Sequence, residues 1–325
     1  LIGDHAKKIV KTTTIVDKRT GENVNEYTIE TPKGLGPIYS DTDSVIFSME
    51  QLVNTPEEGV SLADAIVDQI NESFPNFMTK AFFCQPNFTN LIKANREMVA
   101  MSGIFRAKKK YMMLGVDMEG KRLDPNDPKS LKTQGSDIKI SSTPEMIRTL
   151  LKDVTMMALR GVSKSEIDEY ILEFRRNLMN IEHNDLNILD FASVNSVKTL
   201  DDYFLKWSRI EKPGLGKVTI PAAIRAVINH NDFISLIGDR ETQPIRNGQK
   251  VKVLWLREND FGYQYLGFPS EIDKLPPWFD EYFKVDLKLT EQKLVDHKLE
   301  MIFEPIGWTV PTVQTVKVGK LLSFD

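Results

Sequence analysis

The strongest chemical signal is a pair of aspartates two positions apart, Asp41 and Asp43, in the run Tyr39-Ser40-Asp41-Thr42-Asp43-Ser44. On a regular strand, residues at that spacing share one face. A tight turn between two strands would instead thrust one carboxylate into an open cleft. Neighbouring carboxylates repel, so their ionised forms need a cation. Mg²⁺ suits them, because it is a hard ion that shares its shell of oxygen ligands with substrate phosphates. Two such ions about 3.5–4 Å apart can clamp the attacking and leaving oxygens of a phosphoryl transfer. Asp-Thr-Asp-Ser by itself is most often a solvated turn. Its surroundings favour chemistry: Pro32, Gly34, Gly36 and Pro37 precede it and the apolar Val45-Ile46-Phe47 follows, the layout of a hairpin tip.

A second signal is basic. From Arg106 to Lys139 there are nine Lys/Arg against five Asp/Glu, with Lys108, Lys109 and Lys110 directly before Tyr111. Farther on, Lys206, Arg209, Lys212, Lys217 and Arg225 face only Glu211. Each phosphate neutralised by such side chains releases counterions, which gives sequence-independent, salt-sensitive DNA affinity. Lys109 in a minor groove would meet acceptors common to all base pairs. Either patch alone is as well read as a solvated basic face. Alternating Lys and Tyr on a strand beside an acidic metal site tilts the reading toward DNA.

Behind these residues stands a chain of 325 residues with 41% hydrophobic and 27% charged composition, ordinary for a soluble globular protein. At roughly 100–200 residues per domain, it holds about two domains. A net charge of −4 excludes a uniformly basic protein but leaves local DNA-binding patches open. The single Cys84 excludes an internal disulfide framework and fits a reducing cytosol. Cys84 reads as a buried small apolar residue or a free thiol and not as a nucleophile, since no His lies near it in sequence. The four histidines lie far apart, against a Cys/His zinc site. No apolar run of about 18 residues occurs, so no membrane span is expected. The chain opens on Leu1 with no signal-peptide pattern, and we expect a fragment of a longer chain or one half of a split one.

The elements that must position the chemistry follow from local patterns. Residues 12–30 predict a hairpin around Arg19–Asn23, and Tyr39–Met49 a strand-like stretch. Ser61 as N-cap and Leu62, Ile66, Ile70 and Phe74 on one face predict a helix over 61–74. Residues 97–116 hold two β-like runs before a polar turn at Glu119-Gly120. Thr143-Pro144 opens a helix, and Ser163 with Glu166 forms a capping box for another. Residues 221–230 predict a short helix, 249–257 a strand and 290–302 a helix. The tryptophans read as core, and His230 as a helix-end cap or a phosphate neighbour. Character shifts near 135, from mixed α/β to mainly helical.

Tyr-x-Asp-Thr-Asp-Ser before an apolar strand resembles the third polymerase motif of family B DNA polymerases. Asn95-Arg96-Glu97 is similar to the family's palm strand that places a further carboxylate, and Lys109-x-Tyr111 to its Lys-x-Tyr motif. Gly115–Gly120, Leu131–Gly135, Ser141–Pro144, Pro221–Asn231 and Val251–Gly262 extend the match. The wording is nearest the replicative polymerases of T-even-like bacteriophages. The resemblance implies an α+β fold. Residues 1–135 would be the C-terminal part of the palm, an antiparallel sheet with helices on one face. Residues 136–318 would be a mainly helical thumb, and 319–325 a tail. It makes Asp43 the main ligand of two Mg²⁺ ions, Asp41 an accessory ligand and Glu97 a third catalytic carboxylate. Thr42 and Ser44 would shape the hairpin. Ser40 stands where the family usually has Gly, a departure that could slow chemistry. Lys109 and Tyr111 would grip the primer end, Lys108 and Lys110 would bind DNA beside them, and Lys139, Lys212, Lys217 and Arg225 would hold the duplex backbone. Leu321, Leu322 and Phe324 would dock on a sliding clamp.

The family's Asp-x-x-Ser-Leu-Tyr-Pro-Ser motif and its fingers helix, Lys-x-x-x-Asn-Ser-x-Tyr-Gly, are not found in this chain. The resemblance therefore implies half an active site, completed by an N-terminal polymerase part or subunit acting with primer–template DNA and dNTP in the host cytoplasm. Two other classes stay open: a non-catalytic DNA- and clamp-binding subunit derived from such an enzyme, and a different two-metal nucleotidyltransferase.

Overall fold

The computed structural model describes residues 8–16, 23–32, 36–41, 43–181, 186–203 and 220–312, the first two stretches as backbone only. The chain divides into two compact units. One comprises Leu1–Met101 and Leu114–Ser130, the other Ser102–Met113 and Leu131–Asp325. Antiparallel sheets and several helices make the fold α+β, as expected. Among the described residues, no helix is long and apolar enough to cross a membrane.

In the first unit, β1 (Lys8–Val16) pairs antiparallel with β2 (Asn23–Pro32), the hairpin expected from the two β-branched runs. The stretch expected as Tyr39–Met49 is broken at its acidic middle into β3 (Gly36–Asp41) and β4 (Ser44–Ser48). Their register slips between Pro37 and Tyr39, because proline has no N–H to give a ladder and is tolerated at bulges.

Helix α1 (Pro56–Phe82) extends well past the expected 61–74 at both ends. Thr55, not Ser61, is its N-cap, with Oγ1 accepting from Glu58 N at 3.2 Å. Pro56 fits the first turn, where no N–H is needed, and Glu57 and Glu58 suit the positive helix end. Ser61 instead donates to the Glu57 carbonyl inside the helix. Val60 and Ala63 on α1 pack against Met49, Val99 and Val116.

Strands β5 (Met98–Ala107), β6 (Lys110–Met118) and β7 (Lys121–Arg122) follow one another in a sheet, and β8 (Leu131–Gln134) also pairs with β6. The polar turn at Glu119-Gly120 is where the sequence puts it. Both residues are left-handed (φ 51° and 83°), the type I′ geometry whose twist matches a two-residue hairpin.

In the second unit, α2 (Glu145–Leu159) buries Ile147, Leu150, Leu151 and Val154. Pro144 occupies its cap position rather than Thr143, which is buried with its hydroxyl receiving Lys298 Nζ at 3.3 Å. The Ser163–Glu166 capping box opens α3 (Lys164–Met179) as expected. Strand β9 (Ser193–Ser196), β10 (Lys250–Trp255) and β11 (Tyr265–Pro269) form an antiparallel sheet with β10 central. Helix α4 (Ala222–Leu236) lies on it through Val227, Val251 and Val253. Phe233, Phe268, Trp278 and Phe283 make an adjoining aromatic core.

Because α4 runs to Leu236, His230 falls inside the helix and not at its end. It is fully buried beside Phe268 and Trp278, which rules out the cap and phosphate-neighbour readings. The expected helix over 290–302 is three segments: α5 (Leu287–Glu291), a π-helical turn (Gln292–Asp296) and α6 (His297–Phe303). Buried Arg175 of α3 holds the turn at both ends, pairing with Glu291 at 2.5 Å and with Asp296.

Candidate functional site

The β3–β4 ladder ends with Asp41 opposite Ser44. Asp43 therefore sits in the turn, exposed, while Asp41 closes the ladder and is half-buried. Of the two placements open from the sequence, the turn is the one adopted; Thr42 lies outside the described residues. Tyr39 Oη donates to Asp41 Oδ2 at 3.4 Å, which holds the inner carboxylate from its own strand. Ser40 and Ser44 are exposed beside the tip.

Glu97 is exposed one residue before β5, its carbonyl accepting from Glu119 N at 2.9 Å. Among the described residues, no three Asp, Glu, His or Cys side chains are grouped to hold a metal. Asp41, Asp43 and Glu97 are thus not gathered into a three-ligand set. The two tip aspartates suit Mg²⁺ as part of a set: they are hard oxygen donors, and Mg²⁺ commonly takes one or two carboxylates and fills its shell with water and phosphate oxygens.

Arg96, next to Glu97, is an anchor that the sequence reading passed over. Its Nε donates to Asp64 of α1 at 2.6 Å and its Nη1 to Asp117 of β6. Asp117 is only 2% exposed and also accepts from Gly120 N at 3.1 Å. The segment that presents Glu97 is thereby tied to a helix and a strand at once. Its partners lie 32 positions before it and 21 after it in the chain, and no local pattern links them.

The basic residues form a second tip, in the other unit. Lys108 and Lys109 make the β5–β6 turn, and Lys108, Lys109 and Lys110 are all exposed. Lys109 is left-handed (φ 59°), a conformation that costs a non-glycine residue about 1 kcal/mol or more. Gly135, also left-handed, lies against the Lys109 carbonyl where no Cβ would fit. Tyr111 is half-buried, its ring 5.8 Å from that of Phe105. A small cleft of about 20 Å³ opens here, lined among others by Arg106, Lys110, Tyr111, Ser136, Asp137 and Lys298.

Lys298, on α6, pairs with Asp137 at 3.1 Å; its distance along the chain hid it from sequence reading. Lys139 is exposed just beyond Asp137. Arg225 is half-buried, with Nε donating to the Ile220 carbonyl at 3.2 Å, so part of its guanidinium serves the fold. Lys212 and Lys217 lie outside the described residues, as do Leu321, Leu322 and Phe324.

No family model matches the chain. It is similar to the DNA-directed DNA polymerase of Enterobacteria phage T4, 30% identical over 172 residues, which are 52% of this chain and 17% of that protein. The chain thus spans less than a fifth of the relative it matches. The likeness supports, for about half of the chain, the relationship to phage polymerases that the motifs carry.

Proposed function

We propose that this chain is the C-terminal portion of a template-directed DNA polymerase that works in DNA replication in the host cytoplasm. It joins the primer 3′-hydroxyl to the α-phosphate of an incoming dNTP, with release of pyrophosphate. The observation that carries the reading is the placement of Asp43 in the tip of a hairpin whose sequence carries the polymerase motif, in a chain similar to a phage polymerase.

Residues 1–135 serve as the palm part, 136–318 as the thumb and 319–325 as the clamp-binding tail. Asp43 and Asp41 would hold Mg²⁺. Two such ions, when bound, activate the 3′-hydroxyl and neutralise charge on the phosphates. Glu97 assists from the segment that Arg96 anchors. Lys109 and Tyr111 hold the primer end, with Lys108 and Lys110 binding DNA beside them: the lysines neutralise backbone phosphates, and the half-buried ring gives the tip a rigid apolar side. Lys139, Arg225 and the lysines at 212 and 217 track the duplex.

Two carboxylates leave a polymerase site incomplete, so activity requires the N-terminal part that carries the remaining palm, fingers and exonuclease. The test is primer extension by the purified chain, alone and mixed with a polypeptide from the same source that carries that remainder. Extension only in the mixture is expected. Robust extension by this chain alone, or none in a mixture that binds DNA and clamp, would overturn the reading; the second result would favour a non-catalytic subunit.

A further inference from the structure

The loop between β8 and α2 is held by a residue from far along the chain. It contains a short 3-10 turn, Asp137–Lys139, capped by Ser136, whose Oγ accepts from Ile138 N at 3.4 Å. None of residues 134–142 is buried, so apolar burial does little to fix the loop. Lys298 of α6 spans it instead. Its Nζ lies 3.1 Å from Asp137 Oδ2 and donates to Thr143 Oγ1 at 3.3 Å. The ammonium thus clasps the loop at both 137 and 143.

Two features set this clasp apart from a solvated surface pair. The side chains of Lys298 and Asp137 are only 18% and 17% exposed, so water and salt screen their attraction less than that of an exposed pair. The place of Lys298 is also fixed from the other side. It lies two positions beyond the π-helical turn Gln292–Asp296, and buried Arg175 holds Glu291 and Asp296 at the ends of that turn. Single π-helical turns of this kind recur at functional sites.

The clasped loop is continuous with the basic tip. Gly135, two positions before Asp137, lies against the Lys109 carbonyl. Lys139 is exposed on the loop itself. Lys110, Tyr111, Asp137 and Lys298 line one cleft. The Lys298 ammonium is mostly out of water and already shared between a carboxylate and a hydroxyl, so Asp137 neutralises the charge that it could offer a phosphate.

We infer that Lys298 is a positioning residue for DNA binding. By holding Asp137 and Thr143 it fixes the 135–143 loop, and with it Lys139 and the lysine turn at 108–110, without contacting a phosphate itself. The inference rests on the function proposed above, which gives those lysines DNA as their ligand.

The test measures the affinity of the full chain for a primer–template duplex by fluorescence anisotropy at several salt concentrations. It compares the parent with K298M, K298R, D137N and K108A/K110A. K298M should bind about fivefold more weakly or worse, with a salt slope like the parent's because no phosphate contact is lost. K298R keeps the charge and should restore most of the affinity. D137N removes a negative charge, which by itself would strengthen DNA binding; loss of the clasp should weaken it. Melting temperatures check the fold of each variant, and if K298M does not fold, the direction of the D137N effect decides. Parent-like binding by K298M, K298R as weak as K298M, or tighter binding by D137N overturns the inference. So does a K298M slope reduced by about 0.9, which would make Lys298 a phosphate ligand. Any of these beside weakened binding by K108A/K110A leaves the DNA reading of the turn standing. Unchanged binding by K108A/K110A sinks that reading, and the inference with it.

Discussion

Gly135 rests against the backbone carbonyl of Lys109, and the two residues share the left-handed conformation on either side of that contact. The end of β8 thereby braces the turn that carries three exposed lysines. Gly135→Ala meets both obstacles, an unfavourable φ and a clash with backbone that cannot rotate away. It should cost about 1–3 kcal/mol of stability, read as a lower denaturant midpoint, and should loosen the basic tip enough to weaken DNA binding. A midpoint equal to the parent's would show that the brace carries no load.

The lysines of that tip should act as phosphate neutralisers. Replacing Lys108 and Lys110 by Ala should lower DNA affinity equally for unrelated sequences. Each lost phosphate contact should reduce the slope of log K against log salt by about 0.9. Titrations at several salt concentrations measure this directly; an unchanged slope would mean that the tip faces water and not DNA.

Arg96 holds Asp117, which is 2% exposed. Arg96→Met would leave that carboxylate buried with, among the described residues, the Gly120 amide at 3.1 Å and the more distant Arg122 guanidinium at 3.8 Å. Removing one partner of a buried ion pair typically costs about 3–5 kcal/mol; the remaining partners place this case toward the lower end. Adding Asp117→Leu should recover part of the loss, because the uncompensated charge goes with it. A double variant less stable than Arg96→Met would contradict this account.

His230 gives the fold a pH dependence. Burial pushes its pKa down from 6.5 to about 4, against the smaller upward pull of the Gln243 carbonyl. The folded protein keeps the ring neutral while the unfolded chain takes up a proton below 6.5. Its contribution is therefore intact above pH 6.5 and is lost as pH falls toward 4, by about 3 kcal/mol in all. Urea unfolding of the parent should weaken between pH 7 and 5, and the drop should be smaller in His230→Phe. Equal drops in the two proteins would assign the effect to other groups.

Asp43→Asn removes the charge of the proposed Mg²⁺ ligand from the hairpin tip while keeping its size. Primer extension in the reconstituted enzyme should nearly vanish, with DNA affinity similar to the parent's. Asp41→Asn should be milder, since that carboxylate is half-buried at the end of the ladder and shared with the Tyr39 hydroxyl. Parent-like extension by Asp43→Asn would discard the metal assignment.

The elements that local chemistry dictates are where the sequence puts them. The capping box at Ser163 and Glu166, the alternating strand at 250–255 and the turn at Glu119-Gly120 each depend on residues within a few positions of one another. The acidic hairpin was legible for the same reason, since Asp41, Asp43 and the flanking strands are neighbours along the chain. Helix limits are less legible. Ser61 fits the pattern of a cap, but Thr55 with Pro56 supplies a better start, and Val60 and Ala63 pack on Val99 and Val116.

Only the tertiary structure decides what depends on residues far apart in the chain. It pairs Arg96 with Asp64 and Asp117, sets Gly135 against Lys109, brings Lys298 to Asp137 and sinks His230 among Phe268 and Trp278. Periodicity and spacing reach over one or two turns of helix or one hairpin. A buried ion pair or a carbonyl pressed on a glycine is selected by how whole elements pack, and that selection leaves no mark at the local spacing of the residues concerned.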